Sequence, residues 1–165
     1  MSRVRDASDL LLLELATQLG AEHAGAGLLR LFLDQASDVQ LRSGLARHLA
    51  ETEQHALSVE SALRILGAEP RPSPSAALDG IEREHRAAMS RTGSRGPAAV
   101  RDAVVAGSAA HVELYEIGAY EPIVEKAALE REDGIVELLS VCLDEERAAL
   151  DEARAIAGRL ARELP

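Results

Sequence analysis

The sequence predicts an all-α protein folded as a four-helix bundle. Apolar residues recur at three- and four-residue spacing over four long stretches, as amphipathic helices require. Aromatic residues make up only 2% of the chain, and this disfavours the sheet-rich folds that depend on them. Since 165 residues suit one domain of ordinary size, we expect a single domain over residues 1–165.

The first two predicted helices form a hairpin. The first begins near Ser8 or Asp9, either of which can cap it, and runs to about Gln35. After a short turn at residues 36–38, the second runs over residues 39–66. Because short turns join antiparallel neighbours, these helices should pack side by side.

A long crossover is predicted over residues 70–97. Its proline-rich start, residues 70–75, is incompatible with a helix and predicts an extended linker. A short helix over residues 76–90 and a flexible loop over residues 92–97 follow.

The last two long helices form a second hairpin. The third long helix spans residues 98–130, with a kink expected at Pro122, and the fourth spans residues 135–162. Two hairpins joined by a long connection are typical of ferritin-like bundles.

Glutamates interrupt the apolar stripe of every long helix near its middle. A buried, unpaired carboxylate costs several kcal/mol, so a converging set needs a multivalent cation to offset that cost. Glutamates and histidines from four helices are the di-iron or di-manganese arrangement. The candidate ligands are Glu22, Glu51, His55, Glu113, Glu116 and Glu146.

The spacing of these residues predicts two similar halves with one difference. Glu22 precedes Glu51 by 29 residues and Glu116 precedes Glu146 by 30, which places the carboxylates at matching depths. His55 follows Glu51 by four residues, but the residue at the same distance after Glu146 is Leu150, which cannot bind metal. We therefore expect the second half to lack a histidine. The two metal positions should then fill in sequence, first the one near Glu51 and His55 and then the one near Glu113, Glu116 and Glu146.

The other histidines and the cysteine receive more ordinary interpretations. His48 is interpreted either as a ligand or as an outer partner of one. His23 and His85 are expected at the surface and His111 beside the core, while Cys142 is expected to be an inert buried thiol. The alternative to a metal site is a hydrogen-bonded polar layer that sets helix register in a metal-free dimeric scaffold for a protein partner.

The overall charge limits the classes of partner. The formal charge of −10 repels nucleic acid and anionic lipid, so neither is expected to bind. A single cysteine and the lack of a signal-peptide pattern at the N-terminus favour a cytoplasmic location.

Four segments resemble the YciF-like family of the ferritin-like superfamily, a bacterial family with stress-associated members. Residues 48–55 (HLAETEQH) and 66–70 (LGAEP) are similar to the family pattern HLxETxxH…LGxxP. Residues 112–120 (VELYEIGAY) resemble VEHYEIAAY with Leu114 in place of His, and residues 143–149 (LDEERAA) resemble LDEEKAA. Residues 21–22 resemble the AE of its first helix.

The resemblance implies a ferritin-like bundle, a homodimer and a two-metal centre for iron or manganese. Its ligands would be Glu22, Glu51, Glu146 and either Glu113 or Glu116, with His55 as a nitrogen ligand. The function it suggests is oxidation of the metal by dioxygen or peroxide in a stress response.

Overall fold

The computed structural model describes residues 4–93 and 96–164, which form five helices. These are α1 (Ala7–Gln35), α2 (Val39–Ile65), α3 (Ala76–Thr92), α4 (Ala98–Leu129) and α5 (Asp133–Glu163). The all-α prediction is confirmed, and each helix lies within two residues of its expected bounds. Ser94 and Arg95, in the predicted loop over residues 92–97, lie outside the described residues.

Side-chain caps explain where two of the helices begin. Asp6, rather than the expected Ser8 or Asp9, caps α1 by accepting a hydrogen bond from the backbone N–H of Asp9 at 2.8 Å. Asp38 caps α2 in the same way through Leu41 N–H at 2.9 Å. In each case the carboxylate satisfies a backbone donor that has no partner within its own helix.

The four long helices pack as two hairpins, α1 with α2 and α4 with α5. The hairpins meet along α1–α4 and α2–α5, and α3 lies across α1 and α4. Helix α4 continues past Pro122, where the sequence predicts a kink. No helix in the ranges 4–93 and 96–164 is both long and apolar enough to span a bilayer.

The proline-rich start of the crossover is attached to α1. The backbone N–H of Ser73 donates to Ala16 O at 2.8 Å, and its carbonyl lies where a Cβ on Gly20 would be. Only glycine at this position of α1 permits such a close approach. The extended linker is therefore fixed along the bundle.

Two apolar clusters occupy opposite ends of the core. One includes Leu29, Phe32 and Leu41, and the other includes Leu15 and Tyr120. Buried polar side chains lie between these clusters on all four long helices. The fold thus places a polar layer at mid-height between two dry regions.

His85 corrects one expectation. It is only 1% exposed rather than at the surface, because α3 packs over the bundle and brings it into contact with Phe32 at 4.7 Å between ring centroids. Its Nδ1 lies 2.9 Å from Ser108 Oγ and its Nε2 lies 2.7 Å from Gln35 Oε1. His23 is exposed as expected, while His111, expected beside the core, is also exposed.

Candidate metal centre

The polar layer contains six ionisable side chains that are at most 3% exposed. Helix α1 provides one carboxylate, α2 provides two imidazoles, α4 provides two carboxylates and α5 provides one. They are Glu22, His48, His55, Glu113, Glu116 and Glu146.

These side chains form two groups with metal-ligand geometry. The potential ligand atoms within each group lie within 4.8 Å of one another. The first group contains His48, Glu113, Glu116 and Glu146, and the second contains Glu22, His55 and Glu146. Glu146 belongs to both, so its carboxylate connects the two candidate positions.

His48 directs one ring nitrogen into the first group. Its Nε2 lies 2.9 Å from Glu113 Oε2 and 3.3 Å from Glu146 Oε2. Its Nδ1 lies 3.1 Å from Glu51 Oε2, which is outside the group. The ring therefore connects a buried carboxylate cluster to a half-buried carboxylate on its own helix.

His55 directs its Nδ1, rather than its Nε2, into the second group. Its Nδ1 lies 2.8 Å from Glu146 Oε1 and 3.8 Å from Glu22 Oε2. Its Nε2 lies 2.7 Å from Glu145 Oε2. Each histidine therefore lies between an inner, buried carboxylate and an outer, more exposed one.

Several buried oxygens in the layer lack a hydrogen-bond donor. Both oxygens of Glu116 and Oε2 of Glu22 have no hydrogen-bond partner within the described chain. Buried polar atoms are normally paired, and a carboxylate oxygen is a good ligand for iron or manganese. The donor set therefore fits a transition-metal ion.

The electrostatics of the layer favour neutral carboxyl groups beside cationic histidines. Burial, together with the charge of Glu146, raises the pKa of Glu22 to about 7. Burial raises the pKa of Glu113 to about 8, against the opposing effect of His48, and raises that of Glu116 well above its ordinary value. These shifts follow from placing acids together in a low-dielectric interior.

The neighbouring carboxylates raise the pKa values of both histidines. Burial lowers the pKa of His48, but hydrogen bonds to Glu113 and Glu146 outweigh it and raise the value to about 11. The pKa of His55 rises to about 9 by the same balance. For Glu146, burial opposes ionisation, yet the two histidines lower its pKa to about 2. Glu146 is thus the ionised centre of the cluster.

Two neighbours fix the carboxylates of the layer. Gln18 Nε2 donates to Glu22 Oε1 at 2.8 Å, and the Tyr120 hydroxyl donates to the same oxygen. On α1, a Cβ built at Gly25 would lie 3.0 Å from Glu116 Oε1. The absence of a side chain at Gly25 therefore leaves room for the Glu116 carboxylate.

The structure brings most of the expected ligands together but not Glu51. That side chain is 27% exposed, belongs to neither group, and has Thr52 in the inward position beside it. His48, whose role the sequence left open, lies in the first group instead. The expected ligands found in the groups are Glu22, His55, Glu113, Glu116 and Glu146.

The two leucine departures from the family pattern have different consequences. Leu114 is 45% exposed, so this position faces away from the layer. Leu150 is buried in an apolar cluster, as expected for a residue that cannot bind metal. Helices α4 and α5, the second half of the chain, contribute only carboxylates to the two groups, and both imidazoles come from the first half. His48 and His55, seven residues apart on α2, provide one nitrogen to each group.

Comparison with known families and structures supports the same fold. Residues 6–164 match the family described as "Domain of unknown function (DUF892)". The structure is similar to that of YcfI from Rhodopseudomonas palustris, with a TM-score of 0.85 and 31% identity over 93% of this chain and 97% of that one. No curated protein matches the chain.

Two further solved structures show the fold at lower identity. The E. coli stress protein YciF aligns with a TM-score of 0.88 and 21% identity, over 98% of this chain and all of YciF. Ferritin-like, diiron-carboxylate proteins from Bacillus anthracis str. Ames align with a TM-score of 0.71 and 16% identity, over 93% and 99% of the respective chains.

Proposed function

This chain belongs to the DUF892 family, which has a ferritin-like fold, and on that premise we propose that it binds one or two ions of iron or manganese. The observation that carries the proposal is the pair of buried groups joined by Glu146. Without a cation, Glu116 keeps two buried oxygens that have no donor in the described ranges. A bound ion supplies the missing partner.

The donor set favours ions such as iron and manganese over soft metal ions. Carboxylate oxygens outnumber imidazole nitrogens in both groups, and thiolate is absent from them. Soft ions such as Cu(I) prefer sulfur ligands, whereas mixed oxygen and nitrogen sites suit iron and manganese. The diiron-carboxylate description of the Bacillus anthracis proteins agrees with this choice.

The chain's residues would bind the ions and shield them from water. His48, Glu113 and Glu116 would hold one ion, Glu22 and His55 the other, and Glu146 both. The apolar clusters above and below the layer restrict access of solvent. When bound, Fe(II) or Mn(II) would supply electrons to dioxygen or peroxide and would itself be oxidised, and this is the chemistry that we propose for a cytoplasmic stress-response protein.

Metal analysis provides the direct test. Protein purified without chelator and then loaded with Fe(II) or Mn(II) under anaerobic conditions should hold between one and two equivalents. Glu146→Gln should remove most of this metal because the residue serves both groups. Glu125→Gln, at an exposed position of α4, is the matched control and should load like wild type.

A low metal content in wild type would contradict the proposal. Less than about a tenth of an equivalent after loading would favour the metal-free scaffold, in which the layer only sets helix register. In that case Glu146→Gln should change the free energy of unfolding by about 1–3 kcal/mol equally with and without added metal.

A further inference from the structure

We infer that Glu51 and Glu145 are positioning residues, which orient His48 and His55 so that the two histidines bind metal through opposite ring nitrogens. His48 would present Nε2 to one ion, and His55 would present Nδ1 to the other. The inference rests on the proposed metal-binding function and assigns Glu51 a role other than that of a ligand.

The first argument is the direction of each ring. The Nε2 of His48 lies 2.9 Å from the buried Glu113 carboxylate, while its Nδ1 lies 3.1 Å from Glu51. Because the two nitrogens lie on different sides of the ring, the contact with Glu51 fixes which one faces the first group. Rotation of the ring would break both contacts at once.

His55 has the reverse arrangement. Its Nδ1 lies 2.8 Å from Glu146 Oε1, and its Nε2 lies 2.7 Å from Glu145 Oε2. Glu145 and Glu146 are adjacent on α5, so one helix provides both the inner and the outer carboxylate of this ring. The outer contact therefore selects Nδ1 as the nitrogen available to the second group.

The second argument is burial. The side chains of Glu51 and Glu145 are 27% and 41% exposed, whereas those of Glu113 and Glu146 are 2% and 0% exposed. A half-exposed carboxylate remains partly hydrated and accepts a ring N–H at little desolvation cost. The outer carboxylates thus differ in environment from the inner ones.

The third argument is the further pairing of Glu51. Its Oε1 lies 3.5 Å from Arg47 Nε, and Arg47 also pairs with Glu152 on α5. The carboxylate is therefore held between Arg47 and His48. This pairing opposes a rotation that would bring it into the buried group.

The chemistry explains why such a contact matters. A neutral imidazole that binds metal through one nitrogen carries its proton on the other. A carboxylate that accepts this N–H fixes both the tautomer and the ring orientation, and loss of such an outer partner typically costs 10–100-fold in metal affinity. An amide oxygen can also accept the N–H, whereas a methyl group cannot.

The test compares amide and alanine variants with Zn²⁺ as a redox-silent probe. By calorimetric titration, Glu51→Ala should weaken Zn²⁺ binding by about 10–100-fold, while Glu51→Gln should stay within a few-fold of wild type. Glu145→Ala and Glu145→Gln should differ in the same way. Glu53→Ala, an exposed neighbour on α2 that pairs with Arg30, is the control and should bind like wild type.

Imidazole ¹⁵N spectra of the zinc-loaded protein provide the second measurement. The expected signature is a protonated Nδ1 with metal-bound Nε2 for His48, and the reverse for His55. Circular dichroism of each variant verifies that the helices are retained, and the wild-type spectrum tests the assignment even where a variant fails to fold.

The outcomes separate the two proposals. If wild type binds no Zn²⁺, Fe(II) or Mn(II), both the metal-binding function and this inference are overturned. If wild type binds metal but Glu51→Gln loses as much affinity as Glu51→Ala, Glu51 is a ligand and only the inference fails. Metal bound through the same nitrogen of both histidines would also overturn the inference alone.

Discussion

Tyr120 of α4 donates a hydrogen bond across the bundle to Glu22 of α1. Gln18 donates to the same carboxylate oxygen, Oε1, at 2.8 Å. The other oxygen, Oε2, is thereby left facing His55 Nδ1 at 3.8 Å. Two donors on one side of the carboxylate therefore direct its free oxygen toward the second candidate metal position.

Removing the Tyr120 hydroxyl should destabilise the fold and weaken metal binding at the second candidate position. Because Gln18 still donates to Glu22, we expect Tyr120→Phe to lower the free energy of unfolding by about 1 kcal/mol in the presence of chelator. Urea titration measures the loss. Tyr115→Phe is the control, since the Tyr115 hydroxyl makes no hydrogen bond with another described residue, and an equal loss in both variants would contradict the prediction.

Gly25 and Gly27 form a matched pair on α1. Gly25→Ala should weaken binding at the first group, because the new Cβ would lie 3.0 Å from Glu116 Oε1 and displace that carboxylate. Gly27→Ala has no described atom within 4 Å of its new Cβ and should only stabilise the helix, by up to about 1 kcal/mol. Titration with Mn²⁺ measures the affinities, and equal affinity in the two variants would be inconsistent with this role of Gly25.

Metal binding should occur in two unequal steps. The first group offers four protein ligands and the second offers three, so the first is expected to fill first, which is the reverse of the order expected from the sequence. Glu116→Gln should weaken the tighter step and Glu22→Gln the weaker one, each by at least about tenfold, since even an outer partner contributes that much. Calorimetry with Mn²⁺ distinguishes the steps; two identical, independent sites in wild type would disprove the asymmetry.

His85 should make stability depend on pH outside the metal centre. Burial, aided by the charge of Arg86, lowers the pKa of His85 below its ordinary value of 6.5. The unfolded chain therefore binds this proton more readily than the folded protein. The contribution of His85 to stability is complete above pH 6.5 and is lost as pH falls below that value toward its pKa in the folded state.

The measurement is the free energy of unfolding as a function of pH, with chelator present. The advantage of wild type over His85→Gln should shrink as pH is lowered from about 8 to about 5. His111→Gln, at an exposed position, should show no such trend. A wild-type advantage that is constant over this range would refute the assignment.

The chain is expected to form a homodimer. Several large apolar side chains on different helices are exposed, including Val39 at 79% and Leu129 at 75%, and a second copy is expected to cover some of them. Light scattering at micromolar concentration should give twice the chain mass of 17.6 kDa. A stable particle of 17.6 kDa would argue against the dimer.

The long helices were predictable because each repeats the same pattern over seven or more turns. Leu15, Glu22 and Leu29, at seven-residue spacing, all lie on the buried face of α1 as the periodicity requires. The same periodicity placed the carboxylates at one depth. The predicted helix ends were also close to the observed ones, since caps such as Asp38 act through local hydrogen bonds.

The features that the sequence did not predict depend on contacts between distant segments. His85 is buried because α3 packs on α1 and α4, which no local pattern specifies. Glu51 and Thr52 are adjacent, so a small rotation of α2 decides which one faces the layer, and the packing selects Thr52. For two adjacent residues at the edge of an apolar stripe, periodicity alone cannot show which side chain faces the core.

Both buried imidazoles of the polar layer come from α2, whereas α1, α4 and α5 contribute only carboxylates to it. Nitrogen donors favour iron and zinc, and sites made only of oxygen favour magnesium, calcium and manganese. The two histidines of α2 therefore determine the balance of nitrogen and oxygen donors at both candidate metal positions. Exchange of two residues in that helix would shift the metal preference of both positions together while the other three helices stayed unchanged.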